Sequence, residues 1–249
     1  MSSPQAELSP EQLEQFRDQG YFVTRVLFDA QLLYDVRREF ERLWQDAVAR
    51  ARREGRSIPD MSQLDLRSPV CDAFCRHPAF LALCQHLLGP DANLIWNMAV
   101  IKSPSIGSNP IHWHQDQWYA INDPYSKTCD PALLHSNESS FTAWVAITRT
   151  TVENGTLWVL PGRHREGLLP HAWDPRLGDW QGGFDTSGAI PLELSAGQVL
   201  VMSKYLPHSS RANLSQEMRM AYQISYGLPG LRPGPLPETL PLLRGGVRV

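Results

Sequence analysis

The spacing of apolar residues changes character once along this chain. Up to about residue 90 they recur every three or four positions, the signature of helices; from about residue 93 they alternate or form short runs broken by proline and glycine, the signature of strands. Ser9-Pro10-Glu11-Gln12 reads as a helix start, with Ser9 as N-cap, Pro10 at the first helical position and Gln12 as the capping-box partner. That helix closes near Gly20, and residues 21–26 read as a first strand. Asp29 opens a longer helix. Leu32, Leu33, Val36, Phe40, Leu43 and Trp44 form its apolar stripe, Arg37, Arg38, Glu41 and Arg42 its wet face, and Gly55 its end. Residues 56–69 read as a loop. Helical spacing resumes over 71–88, where Pro78 predicts two short helices rather than one.

The second half predicts strands at 94–101, 111–118, 141–149, 156–160, 190–193, 198–203 and 218–227. Short strands after a helical layer imply a mainly β fold with flanking helices, a sandwich or jelly roll. We expect one domain over 1–249: a helical layer at about 9–90, a jelly-roll core at about 93–228 and a tail at 229–249. The first eight residues read as disordered. The polar loop 120–137 is expected at a substrate entrance, the glycine-rich segment 178–188 as a lid, and the tail wrapping the surface or meeting a second copy.

Composition narrows the function. A net charge of −3 over 249 residues gives no reason to expect a nucleic-acid or membrane partner. No stretch approaches the ~18 apolar residues of a membrane span, and no secretory signal is legible. The four cysteines form no C-x-x-C pair, so they read as buried free thiols, and a cytoplasmic, reducing compartment is expected.

The chemistry centres on His114-Gln115-Asp116. On a strand, residues two apart share a face, so this H-x-D triplet would aim an imidazole and a carboxylate at one point. Two histidines and one carboxylate make the facial triad that holds non-haem Fe(II) with open positions, and His208 is the best candidate for the third ligand. An H-x-D triplet also occurs by chance on wet strands, so context decides. By the same parity His112 shares the His114 side. Trp113, Trp118, Tyr119 and Trp158 are candidates for a cavity lining.

The context is an ordered set: Leu8-Ser9-Pro10-Glu11-Gln12, Asp18-Gln19-Gly20-Tyr21-Phe22-Val23, H-x-D, Asn154-Gly155 through Pro161-Gly162-Arg163-His164, and His208-x-Ser210 followed by Asn213-x-Ser215 and Arg219. In this combination, over nearly all of its length, the chain resembles the phytanoyl-CoA dioxygenase family of Fe(II)/2-oxoglutarate oxygenases. The resemblance implies a double-stranded β-helix with Fe(II) held by His114, Asp116 and His208, and 2-oxoglutarate and O2 as co-substrates. It implies that Arg219 grips the distal carboxylate of 2-oxoglutarate with Ser210 beside it. It also makes Asn97, Lys102 and Thr148 positions for further co-substrate contacts. The retained Asp116 favours oxygenation over halogenation, most simply hydroxylation. Arg163 stands where serine is usual; with Arg165, it either faces an anionic substrate or is solvated. No basic patch suited to an acyl-CoA is evident, so the expected partner is a small molecule such as a secondary metabolite or amino-acid derivative. The alternatives are a cupin-like metal or small-molecule binding module without oxygenase activity, and a metal isomerase or dioxygenase that needs no 2-oxoglutarate.

Overall fold

The computed structural model describes residues 8–56, 59–104, 110–122, 129–175, 179–231 and 240–249. The N-terminal part folds largely as its pattern predicts. Helix α1 (Pro10–Gln19) carries the full Ser9/Gln12 capping box and ends at Gly20, whose φ of 82° is open to glycine without strain. Strand β1 (Tyr21–Val23) is shorter than expected. Helix α2 (Ala30–Arg53) is capped by the Asp29 carboxylate, which accepts the Leu32 N–H at 2.8 Å. A 3₁₀ turn (Leu64–Leu66) interrupts the expected loop. Pro78 does separate two helices, α3 (Pro69–Cys75) and α4 (Pro78–Leu87), because the ring cannot continue the hydrogen-bond ladder of a preceding helix. Among the described residues no helix is long and apolar enough to cross a membrane.

From β2 (Ala92–Lys102) onward the chain is strands with short helical inserts. They are β3 (Ile111–His114), α5 (Asp116–Asn122), α6 (Pro131–Leu134), β4 (Ser140–Ala146) and β5 (Leu157–Val159). Then come β6 (His171–Asp174), β7 (Asp179–Gly182), β8 (Ile190–Leu192), β9 (Val199–Ser203), β10 (His208–Ser210), β11 (Arg219–Gly227), β12 (Leu240–Arg244) and β13 (Val247–Arg248). One antiparallel sheet runs β1-β9-β4-β11-β2-β12-β13 and a second runs β3-β10-β5-β8. The inner faces of the two sheets share an apolar cluster that includes Trp144, Leu200 and Met202 from the first and Leu157 and Val159 from the second. This is the jelly roll, or double-stranded β-helix, that the strand pattern and the resemblance implied.

Strand β11 shows how one sequence serves two faces. Met220, Tyr222, Ile224 and Tyr226 enter the large core against the helical layer, with Phe40, Phe74 and Phe80. The alternate residues Arg219, Ala221, Gln223 and Ser225 therefore point into the jelly roll. The register pairs them with Lys102, Val100, Met98 and Trp96 of β2, which share that inner face.

Three sequence expectations fail. Residues 111–118 are not one strand: β3 stops at His114 and Asp116 begins a helix. The expected lid at 178–188 contains strand β7, paired with β6 in a two-stranded ribbon, while residue 178 lies outside the described residues. The loop 120–137 includes the end of α5 and all of α6, and residues 123–128 lie outside the described residues. The first seven residues and tail residues 232–239 lie outside them as well; the rest of the tail adds β12 and β13 to the large sheet.

Candidate metal and co-substrate site

His114, Asp116 and His208 converge, but not by strand alternation. His114 and His208 face one another across the β3–β10 pair. Between His114 and Asp116 the chain breaks from strand to helix, and the break is fixed by the buried Gln115 side chain. Its amide donates to the carbonyls of Gly167 (2.9 Å) and Tyr205 (2.6 Å), and its oxygen accepts the Leu169 N–H at 2.7 Å. The Gln117 N–H donates to the Lys204 carbonyl at 2.9 Å, which anchors the first turn of α5.

The ligand geometry follows. Nε2 of His114 and Nε2 of His208 lie 3.8 and 3.7 Å from the same Asp116 oxygen, and the three donor atoms fall within 4.8 Å of one another. Those separations are too long for hydrogen bonds. They suit ligands shared by one ion, since bonds of about 2.1 Å allow separations up to about 4.2 Å. The tautomers suit a metal too. Nδ1 of His114 donates to the His112 carbonyl (2.7 Å) and Nδ1 of His208 to the Leu206 carbonyl (2.9 Å), which leaves each Nε2 with a free lone pair. Burial, reinforced by the neighbouring His208, pushes the His114 imidazole down to about 4, so it stays neutral at ordinary pH. For Asp116 burial works to raise the carboxyl, but His208, His114, Lys204 and the Thr142 hydrogen bond outweigh it and hold it below the usual range. Thr142 Oγ1 donates to Asp116 at 2.8 Å, and the Gln223 amide lies 3.3 Å from both carboxylate oxygens. Two neutral nitrogens and one anionic oxygen, each oriented by a partner, fit a divalent iron.

Behind this cluster lies a buried cationic end. Arg219 is fully buried, with one terminal nitrogen donating to the Val100 carbonyl at 3.0 Å. Its Nε and other terminal nitrogen find no partner among the described residues, and neither does the buried Ser210 hydroxyl. Arg219 is therefore not a surface arginine. Burial pushes the guanidinium down to about 9. Lys102, opposite Arg219 in the register, is pushed down to about 7 by burial and then by the Arg219 charge. A buried guanidinium with open donors is costly unless an anion completes it, and a small carboxylate suits its planar fork.

The other expected residues divide. Asn97 is not at the site. It faces the helical layer, accepts from Leu64 N–H (2.8 Å) and Tyr222 hydroxyl (2.8 Å), and donates to Asp65. Thr148 closes the sheet edge instead, accepting the Met220 N–H at 2.9 Å. His112 and Trp113 line a groove of about 410 Å³ with Trp158 and Arg211, and none of the three cluster residues borders it. Trp158 pairs with Ser209, out of phase with His208, and stacks under Arg211 at 3.9 Å. Arg163 is committed to Glu166 at 2.7 Å and to the Asp185 carbonyl at 2.5 Å, while Arg165 is exposed, 3.7 Å from Asp18. His164 is buried beneath Gly20, its Nε2 donating to the Arg17 carbonyl at 3.0 Å. Trp118 lies on the helix that Asp116 begins and stacks on His171 with ring centroids 4.5 Å apart.

Sequence reasoning missed Gln115, Thr142, Gln223, Lys204 and His171. No motif marks them. The one available signal was alternation: Thr142 and Gln223 sit in strands already expected, but which face each strand turns inward was not legible.

Relatives place the chain. A probable phytanoyl-CoA dioxygenase of Caenorhabditis elegans is 30% identical over 176 residues, 64% of this chain and 51% of that protein. The phytanoyl-CoA dioxygenase of Arabidopsis thaliana is 28% identical over 160 residues, 63% and 52%. The chain thus spans about half the length of the curated relatives it matches. Among solved structures, the non-heme monooxygenase ThoJ superposes with a TM-score of 0.73 at 24% identity, covering 93% of this chain and 83% of that one. The epimerase SnoN, in complex with Fe3+, alpha ketoglutarate and nogalamycin RO, superposes at 0.68 and 22% identity, covering 95% and 96%. EctD from S. alaskensis, with 2-oxoglutarate and 5-hydroxyectoine, superposes at 0.70 and 18% identity, covering 94% and 80%. The sequence profile for phytanoyl-CoA dioxygenase (PhyH) matches residues 16–221, and the chain belongs to that family.

Proposed function

We propose that this chain is an Fe(II)/2-oxoglutarate-dependent oxygenase, most simply a hydroxylase, acting on a small molecule in a cytoplasmic, reducing compartment. The observation that carries the reading is Arg219: a fully buried guanidinium with two nitrogens that have no hydrogen-bond partner among the described residues, inside the same jelly roll as the His114–Asp116–His208 cluster. When bound, iron supplies the oxidation of an unactivated C–H bond by O2, coupled to decarboxylation of 2-oxoglutarate to succinate and CO2. The protein's part is to hold and orient. His114 and His208 present Nε2 atoms on rings oriented by their Nδ1 hydrogen bonds, and Asp116 presents a carboxylate kept ionised and fixed by Thr142 and Gln223. Arg219 would bind the distal carboxylate of 2-oxoglutarate in two parallel charge-assisted bonds, with Ser210 donating a third and Lys102 adding charge. Small-molecule complexes in the superposing structures, nogalamycin RO with SnoN and 5-hydroxyectoine with EctD, agree with a secondary metabolite or amino-acid derivative as substrate class. Four buried free cysteines agree with the compartment.

The test is anaerobic addition of Fe(II) and then 2-oxoglutarate to the purified protein. The expected result is a weak visible charge-transfer band that is absent in Asp116→Ala and Arg219→Ala, followed by succinate release in air. No band, with no 2-oxoglutarate binding by calorimetry, would leave a cupin-like binding module as the better reading. Activity that survives Arg219→Ala would instead indicate an oxygenase or isomerase that needs no 2-oxoglutarate.

A further inference from the structure

A row of aromatic rings starts on α5, the helix that Asp116 begins, and meets the cluster segment through His171, whose Nε2 accepts the Gln115 N–H at 3.2 Å; none of these rings is used in the proposal above. Trp118 lies two residues past Asp116 on α5 and stacks on His171 of β6, with centroids 4.5 Å apart and planes 13° apart. Trp118 also meets Trp180 of β7 at 5.5 Å, and Trp180 meets Trp173 of β6 edge to face at 5.8 Å. Trp173 and Trp180 are directly paired across the ribbon, and His171 has their parity, so one ribbon face carries all three rings. Tyr119 flanks the row, its ring 5.7 Å from His114 and its hydroxyl donating to Asp179 at 3.1 Å.

This row is not ordinary core. Trp173 is 53% exposed, Tyr119 40% and Trp180 39%. Large exposed rings gathered beside a buried polar centre mark a binding surface rather than a folding one. The inner end is also incomplete: Trp118 Nε1 is buried and has no hydrogen-bond partner among the described residues. The surface therefore offers flat π faces and one indole donor.

We propose that the Trp118–Trp180–Trp173 row is the platform for the substrate's ring, and that the substrate is a molecule with a flat ring face. This rests on the oxygenase reading and names the substrate class for that site. Ring-on-ring contact favours planar ligands over flexible chains.

The test separates the two readings, because binding is measured on metal-free protein. Equilibrium dialysis would compare 2-naphthol with 1-decanol. The expected order is 2-naphthol tighter, by about tenfold. Trp173→Ala and Trp180→Ala should each weaken 2-naphthol by about fivefold, while Trp180→Phe, which keeps a ring, stays within about twofold. All three variants should keep the Fe(II)–2-oxoglutarate band. Equal binding of decanol, affinity unmoved by both alanine variants, or no naphthol binding at all would overturn the platform. A platform that behaves as expected in a protein with no iron band would sink the oxygenase reading instead.

Discussion

Arg219 is a single residue whose two roles oppose each other. Burial without an ionic partner among the described residues disfavours its charge in the ligand-free fold, and on the reading proposed above the same open donors would bind a carboxylate. Arg219→Met should therefore abolish 2-oxoglutarate binding while raising the unfolding free energy of the ligand-free protein by about 1–3 kcal/mol. Urea unfolding and calorimetry on the same samples check both halves, and a destabilised variant would contradict the argument. Lys102 extends it to pH. Burial, then Arg219, pushes its ammonium down to about 7, against about 10.4 for an unfolded lysine. Between those values the unfolded chain binds more protons than the native one, so stability should rise with pH across that window. The rise from pH 7 to 9 should flatten in Lys102→Met; equal slopes would sink the assignment. Thr142 and Gln223 act on the metal through Asp116. Replacing Thr142 by Val or Gln223 by Leu should weaken Fe(II) binding about 10- to 100-fold with the histidine ligands untouched, as a competitive Co(II) titration would show.

At the scale of elements, the junction between β3 and α5 decides whether the site forms. The sequence shows H-x-D clearly, and strand alternation would have brought the same two side chains together, so the candidate cluster was reached by an argument whose geometry was wrong. The actual device is Gln115, a polar residue facing inward where a strand would have carried it outward, with its amide saturated by Gly167, Tyr205 and Leu169. Gln115→Leu leaves two carbonyls and one N–H buried without partners, and should cost about 2–4 kcal/mol in urea unfolding and lower metal affinity as well. A loss under about 0.5 kcal/mol would mean the bend is held by the backbone alone. The helices were legible because their caps and apolar stripes are local. Asn97 was misplaced because β2 is buried on both faces, and a continuous run gives no parity from which to choose a side. The β6–β7 ribbon escaped notice because its four-residue strands carry exposed tryptophans rather than an apolar face. Arg163, by contrast, was decidable: Glu166 stands three residues on, at ion-pair spacing.

For the whole molecule, the large sheet separates stability from chemistry by parity. Its outer face packs Met220, Tyr222, Ile224 and Tyr226 against the helical layer, while its inner face carries Arg219, Gln223 and, from β4, Thr142 toward the cluster. Neighbouring residues on one strand should therefore give opposite signatures. Ile224→Ala removes a fully buried side chain from the packed layer and should cost about 2–5 kcal/mol of unfolding free energy. It should leave the dissociation constants for metal and 2-oxoglutarate within about twofold, because independent sites add without coupling. Gln223→Leu, one position earlier, should leave the urea midpoint nearly unmoved and weaken the metal. If Ile224→Ala loosened the metal site as much as it loosened the fold, the two faces would be mechanically coupled. The helical layer would then be part of the site's geometry rather than its support.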